Sequence, residues 1–307
     1  MESLTVAAKG SMRRFVRPRK YFLATLYISM GGFLNGYDTG SIGSITEMPS
    51  FQASIAVLSP TMRGFTVSFL LLAGAVPSLF AGLLADKLGH LTIVFWGAVF
   101  FTVGAAMEAG AVNLAMLLVG RGLVGVGEGL YLGNLNVYIC EIAPAGRRGM
   151  LVALPQALVT LGTCLGYFTC YGTIRITGDM GWRLPFVVQA GGGVLLAVAC
   201  WLLPGSPRWL IARNQLQAAE RNMQRLDLEP AEIQLPLSLR NQPGEGGQER
   251  PQESEQQLSW SIIKSIFARK YRFRTVLALF ILGMVQLCGI DGVLYVRPKI
   301  HSGGSLS

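Results

Sequence analysis

The chain of 307 residues is 51% apolar and only 14% charged, with a mean hydropathy of +0.45. Those values exclude an ordinary soluble domain of this length and place the chain among polytopic membrane proteins. The formal net charge of +9 gathers at the N-terminus and in one long loop, which fits cytoplasmic membrane flanks rather than a nucleic-acid-binding face.

Residues 1–21 form a basic tail in which Lys9, Arg13, Arg14, Arg17, Arg19 and Lys20 are opposed only by Glu2, and the positive-inside rule keeps this end cytoplasmic. The apolar run behind it continues into 36–43 instead of ending at a small-residue cleavage site, so it reads as a first span and not a signal peptide. Spans of roughly 20 residues fit at 22–43, 61–85, 92–110, 114–139, 149–172, 183–203 and 273–296. The first six make a bundle over 22–203. Loops 86–90 and 141–148 are charged and fall inside, 110–113 is uncharged and falls outside, and Arg175 in 173–182 is a mild exception.

Residues 204–272 read as a cytoplasmic loop. Within it Trp209, Leu216, Ala219, Met223 and Leu226 recur at helical spacing between Arg213, Glu220, Arg221 and Arg225, which predicts an amphipathic helix over 206–226. Residues 229–257 are rich in Glu, Gln, Pro and Gly and cannot bury a core. Lys264, Arg269, Lys270, Arg272 and Arg274 then hold the start of the seventh span at the cytoplasmic side, and 297–307 follow it as a short tail.

One carboxylate interrupts the first span, in Gly36-Tyr37-Asp38-Thr39-Gly40. A charge in hydrocarbon costs several kcal/mol, so such a residue is either a helix-end group reaching the headgroups or a functional group with a partner. Depth arithmetic offers Arg121. At 1.5 Å per residue Asp38 lies ~24 Å up from the cytoplasmic side and Arg121 ~10 Å down from the outside, both in the outer half of a core ~30 Å thick. The pair reads as a structural ion pair or as a switch in which protonation of Asp38 releases Arg121.

Gly120, Gly122, Gly125, Gly127 and Gly129 recur around Arg121, and Gly162 and Gly166 stand four apart in the fifth span. Positions 125–129 follow no β-strand, so a dinucleotide loop is rejected in favour of close helix packing. The five cysteines, Cys140, Cys164, Cys170, Cys200 and Cys288, lie in or beside apolar segments without metal-ligand spacing and read as packing residues. No metal set and no nucleophile with its base stands in the spans, so neither cofactor nor enzymatic activity is expected.

The ordered motifs resemble the sugar porter family of the major facilitator superfamily, most of all the sugar and quinate permeases of filamentous fungi, over about 22–295. They are the Asp38 stretch; Gly82, Ala85-Asp86-Lys87 and Gly89; Gly120-Arg121-Gly122 with Gly125 and Gly127; Tyr138, Glu141-Ile142-Ala143-Pro144 and Arg148-Gly149; and Pro204 with Ser206-Pro207-Arg208-Trp209-Leu210. The resemblance implies an all-α membrane fold, with the N-terminal six-helix bundle plus one further helix. It assigns proton coupling to Asp38 and Arg121, and substrate binding to Gln156, Gln286, Asp291 and Tyr295. Amide side chains suit polyols, since each Gln offers donors and an acceptor without net charge. A cytoplasmic gate falls to Asp86, Glu141, Arg148 and Arg208.

The chain departs from the family at several points. His90 and Leu91 replace two basic residues, Gly205 a Glu, Val285 a Gln, Cys288 a Ser and Asp291 an Asn. After Tyr295 the sequence Val296-Arg297-Pro298-Lys299-Ile300-His301 leaves the family pattern and reads as frameshifted or intron-derived, a C-terminal truncation after the seventh helix. The expected function is transport of a sugar, polyol or quinate-like substrate by proton symport, in a multi-pass protein of the plasma membrane with a cytoplasmic N-terminus, in contact with lipid. Self-association is the route by which this chain would keep that activity, and the alternative is a truncated, non-transporting product that binds a partner permease or is non-functional and degraded. A seven-span receptor has the wrong terminal topology.

Overall fold

In the computed structural model, the described residues are 19–176, 178–228 and six isolated helical positions between 273 and 284. The chain divides into two compact units, Met1–Gln234 and Leu235–Ser307. All of the architecture below belongs to the first. In the second, the described positions Phe273, Val276, Leu277, Phe280, Ile281 and Met284 are helical and exposed.

Every regular element among the described residues is helical. The first span is α1 (Lys20–Ile28) followed by α2 (Met30–Ile45), interrupted at Ser29 alone. The interruption has a local cause. Thr25 Oγ1 donates to the Tyr21 carbonyl and Ser29 Oγ to the Thr25 carbonyl at 2.6 Å, and hydroxyls bonded back one turn bend helices. Two glycines, Gly31 and Gly32, follow. A short α3 (Pro49–Ser54) leads to α4 (Pro60–Leu88), which starts on Pro60 and a Ser59 side chain that accepts from the Met62 N–H.

Gly89, at φ 92°, turns the chain directly from α4 into α5 (His90–Ala109), a conformation that needs a residue without Cβ. The Asn113 side chain caps α6 (Leu114–Ile142) through the Met116 N–H at 2.8 Å. One 3₁₀ turn, Ala145–Arg147, precedes α7 (Arg148–Thr173), and α8 (Met180–Leu202) ends the bundle. Among the described residues, five helices are long and apolar enough to cross a membrane, α4 to α8; α1 and α2 together supply a sixth of similar reach, over 20–45.

Packing follows the glycines. α6 packs on α5 and α4, α2 on α7 and α5 on α8. Gly32, Gly36 and Gly40 of α2 lie against the backbone carbonyls of Pro155, Val159 and Thr163 on α7, and Gly162 and Gly166 of α7 return the contact to Phe33 and Tyr37. On α6, Gly125 and Gly129 meet α4 while Gly120 and Gly127 meet α5. In hydrocarbon there is no apolar driving force between helices, so close backbone approach is what holds such pairs.

The amphipathic stretch over 206–226 is two helices instead of one. α9 (Pro207–Ala212) and α10 (Leu216–Arg225) are separated by Asn214, whose φ of 58° breaks helical continuation. They are tied to the end of the bundle where α4 meets α5: Trp209 Nε1 donates to the Asp86 carbonyl at 3.0 Å and Arg213 Nη2 to the Lys87 carbonyl at 2.7 Å.

Candidate functional site

The stripe Gly32, Gly36, Gly40 fixes the rotation of α2, and two residues further round, by ~200° at 3.6 residues per turn, Asp38 faces away from α7. It meets α6 and α8. Arg121 Nη1 donates to both Asp38 oxygens, at 2.8 Å to Oδ1 and 2.7 Å to Oδ2, and Gln189 Nε2 of α8 donates to Oδ1 at 2.8 Å. Asp38 is 4% exposed, and Arg121 and Gln189 are fully buried. Such a pair is stable only because additional donors satisfy the carboxylate, and Gln189 supplies one.

Two further carboxyls lie in the same interior. Glu108, near the end of α5, places Oε1 3.7 Å from Arg121 Nε, and it fits because Gly120 opposite has no Cβ: one built there would stand 2.7 Å from Glu108 Cγ. Glu128, two turns beyond Arg121 on α6, accepts from Asn35 Nδ2 at 3.1 Å. Among the described residues the buried charged side chains are therefore Asp38, Glu108, Glu128 and Arg121, with His90 as a further titratable group. A cavity of about 480 Å³ opens between α4 and α6, and Asn35, Ser78, Glu128 and Asn134 are its polar lining.

At the far end of that cavity Asn134 Oδ1 is 3.4 Å from His90 Nδ1, and His90 Nε2 is 3.5 Å from Glu141 Oε1. Of the four residues expected in a gate, Glu141 thus meets His90. Arg148 and Arg208 form no ion pair within 4.0 Å among the described residues, and the buried Nε and Nη2 of Arg148, Nε of Arg208 and Oε2 of Glu141 have no hydrogen-bond partner there. Asp86 is exposed, and its carbonyl accepts from Trp209 of α9 and from Arg213 just beyond it. Gln156 sits exposed on α7, clear of the cavity lining. Gln286, Asp291 and Tyr295 lie outside the described residues.

Residues 24–303 match the family described as Sugar (and other) transporter. The chain belongs to that family. Among its sugar-transporter relatives, the sugar transport protein MST7 of Oryza sativa subsp. japonica is 31% identical over 97% of this chain and 59% of its own length. The glucose transporter GlcP of Staphylococcus epidermidis is 30% identical over 95% of this chain and 61% of its own length. The chain spans about three-fifths of these relatives. The proton:xylose symporter XylE, bound to 6-bromo-6-deoxy-D-glucose, superposes with a TM-score of 0.62 at 25% identity, covering 72% of this chain and 52% of that one. Its partially occluded inward-open form gives 0.69 over 91% of this chain at 22% identity, a likeness of fold. The chain is a multi-pass membrane protein of the major facilitator fold.

Within this sugar-transporter bundle, sequence reasoning missed Glu108, Glu128, Gln189 and Asn35. The signal for the first two was present. Both are acids inside apolar runs, the argument that singled out Asp38.

Proposed function

We propose that this chain takes part in proton-coupled transport of a sugar or related polyol, quinate included, with Asp38 as the proton-binding group and Arg121 as its charge partner. The observation that carries this is the buried Asp38 carboxylate, bonded by Arg121 and Gln189 in the interior of a bundle of the sugar-transporter fold. Protonation of Asp38 removes the charge that Arg121 and Gln189 hold, so α2, α6 and α8 lose a shared tie and the bundle can change its packing.

Gln156, open on α7, is the substrate-binding amide of the described bundle, and Gln286, Asp291 and Tyr295 complete the set by their place in the sequence. Glu141, Arg148, Arg208 and Asp86 form one side of a gate. The unmet hydrogen-bond groups of Glu141, Arg148 and Arg208 favour this, since they are available to charges of a second bundle. Alternating access in this fold rocks two bundles about a midplane site, so a second copy or a partner permease is a natural associate. The basic residues of 1–21 support a cytoplasmic N-terminus, and the plasma membrane is the proposed site of a permease of this kind.

The test is uptake of labelled glucose, xylose and quinate into proteoliposomes, with and without an inward proton gradient. The expected result is gradient-driven accumulation that Asp38→Asn abolishes while leaving exchange across the membrane measurable. Accumulation by Asp38→Asn equal to the unsubstituted chain overturns the role of Asp38. Silence toward every substrate from a folded, inserted chain overturns transport.

A further inference from the structure

Among the described residues three buried carboxyls share one guanidinium. Asp38 is bonded by Arg121 Nη1, and Glu108 and Glu128 are left without an equal number of buried cations. Uncompensated carboxylates in a membrane interior cost several kcal/mol each, so the balanced state is one ion pair with the other two acids protonated. Glu108 and Glu128 then differ in one respect. Neither Glu108 oxygen has a hydrogen-bond partner or borders the cavity; Glu128 holds Asn35 through one oxygen and lines the cavity of about 480 Å³. That volume is many times the ~30 Å³ of a liquid water, and Asn35, Ser78 and Asn134 give waters the polar partners they need.

We propose that Glu128 is a second proton-binding site, exchanging its proton with the cavity between α4 and α6. The groups that act on it are Asp38 and Asn35 from α2, Glu108 from α5, and Arg121 and Tyr131 from α6 itself; α4 presents only the hydroxyl of Ser78 and apolar atoms. The step balances. Asp38 takes up a proton and Arg121 loses its counter-charge. The freed positive charge, ~10 Å along α6 from Glu128, favours the Glu128 carboxylate, and the Glu128 proton passes to cavity water beside Asn134 and His90. One proton enters at Asp38 and one leaves at Glu128. Glu108, though 3.7 Å from Arg121, does not line that cavity.

The inference extends the coupling reading of Asp38, but the proton on Glu128 is measurable whether or not sugar moves. The experiment is infrared spectroscopy of the purified full chain in lipid vesicles as pH is stepped, reading the C=O stretch of protonated carboxyls. Part of this band is expected to fade as pH rises. Glu128→Gln should remove a component that fades, whereas Glu108→Gln should remove only one that does not respond. A pH-responsive band unchanged in Glu128→Gln overturns the proposal. Should that variant fail to insert, Asn35→Ala, which deletes only the amide donor, must move the responsive component to higher wavenumber; an unmoved band overturns it equally.

Discussion

Removing the charge at Arg121 and removing it at Asp38 are unequal changes. Arg121→Met leaves the Asp38 carboxylate buried with the uncharged Gln189 amide donating to it, and an uncompensated buried charge costs about 3–5 kcal/mol. Asp38→Asn keeps an amide oxygen that can accept from Arg121 Nη1, so the loss should be about 1–3 kcal/mol. Denaturant unfolding in detergent micelles should rank the variants in that order, and equal losses would show that the amide oxygen gives Arg121 no support. The pair itself was legible in the sequence, because both charges interrupt apolar runs and simple rise arithmetic sets them at one depth. Rise fixes height along a helix but not which way a side chain faces. Gln189, uncharged and on a helix that the depth argument did not visit, could be placed against Asp38 only once the rotation of α2, α6 and α8 was known.

Between elements the decisive atoms are the ones glycine lacks. A Cβ on Gly36 would overlap the Val159 carbonyl, and the neighbouring Gly32 and Gly40 make the same demand of Pro155 and Thr163. Gly36→Val must therefore push α2 off α7, with an overpacking cost of about 1–3 kcal/mol, whereas Gly191→Ala, with open space around its Cβ site, should change stability by no more than about 0.5 kcal/mol. Thermal melting of the two variants checks this, and comparable losses would contradict the packing argument. The spacing of these glycines announced close packing without saying which helix each row meets. The spans were readable from hydropathy alone, since a helix is the chain's way to satisfy its backbone in hydrocarbon. The breaks at Ser29 and Asn214 were not. The first depends on hydroxyls bonded to the turn behind them, and the second on a left-handed residue whose neighbours Arg213 and Trp209 are anchored to α4 carbonyls.

At the scale of the whole bundle, membership in the sugar-transporter family was the part most visible beforehand, because its motifs follow one another in order from α2 to the end of α8. The tie between the segments that flank the bundle was not. The Tyr21 N–H donates to the Leu226 carbonyl at 3.1 Å, Lys20 pairs with Asp227 at 3.3 Å, and Tyr138 and Asn222 hold the carbonyls of Pro204 and Gly205. The segment that enters α1 and the segment that leaves α10 are thus neighbours on the same side of the bundle. In effect the six spans form a loop whose seam is already stitched. A circular permutant that joins 228 to 19 through a short Gly-rich linker and opens at 145–147, the exposed turn before α7, should insert and melt like the parent unit. Loss of the α2–α7 contact in that permutant, read by cross-linking, would mean that covalent order and not the seam sets the assembly.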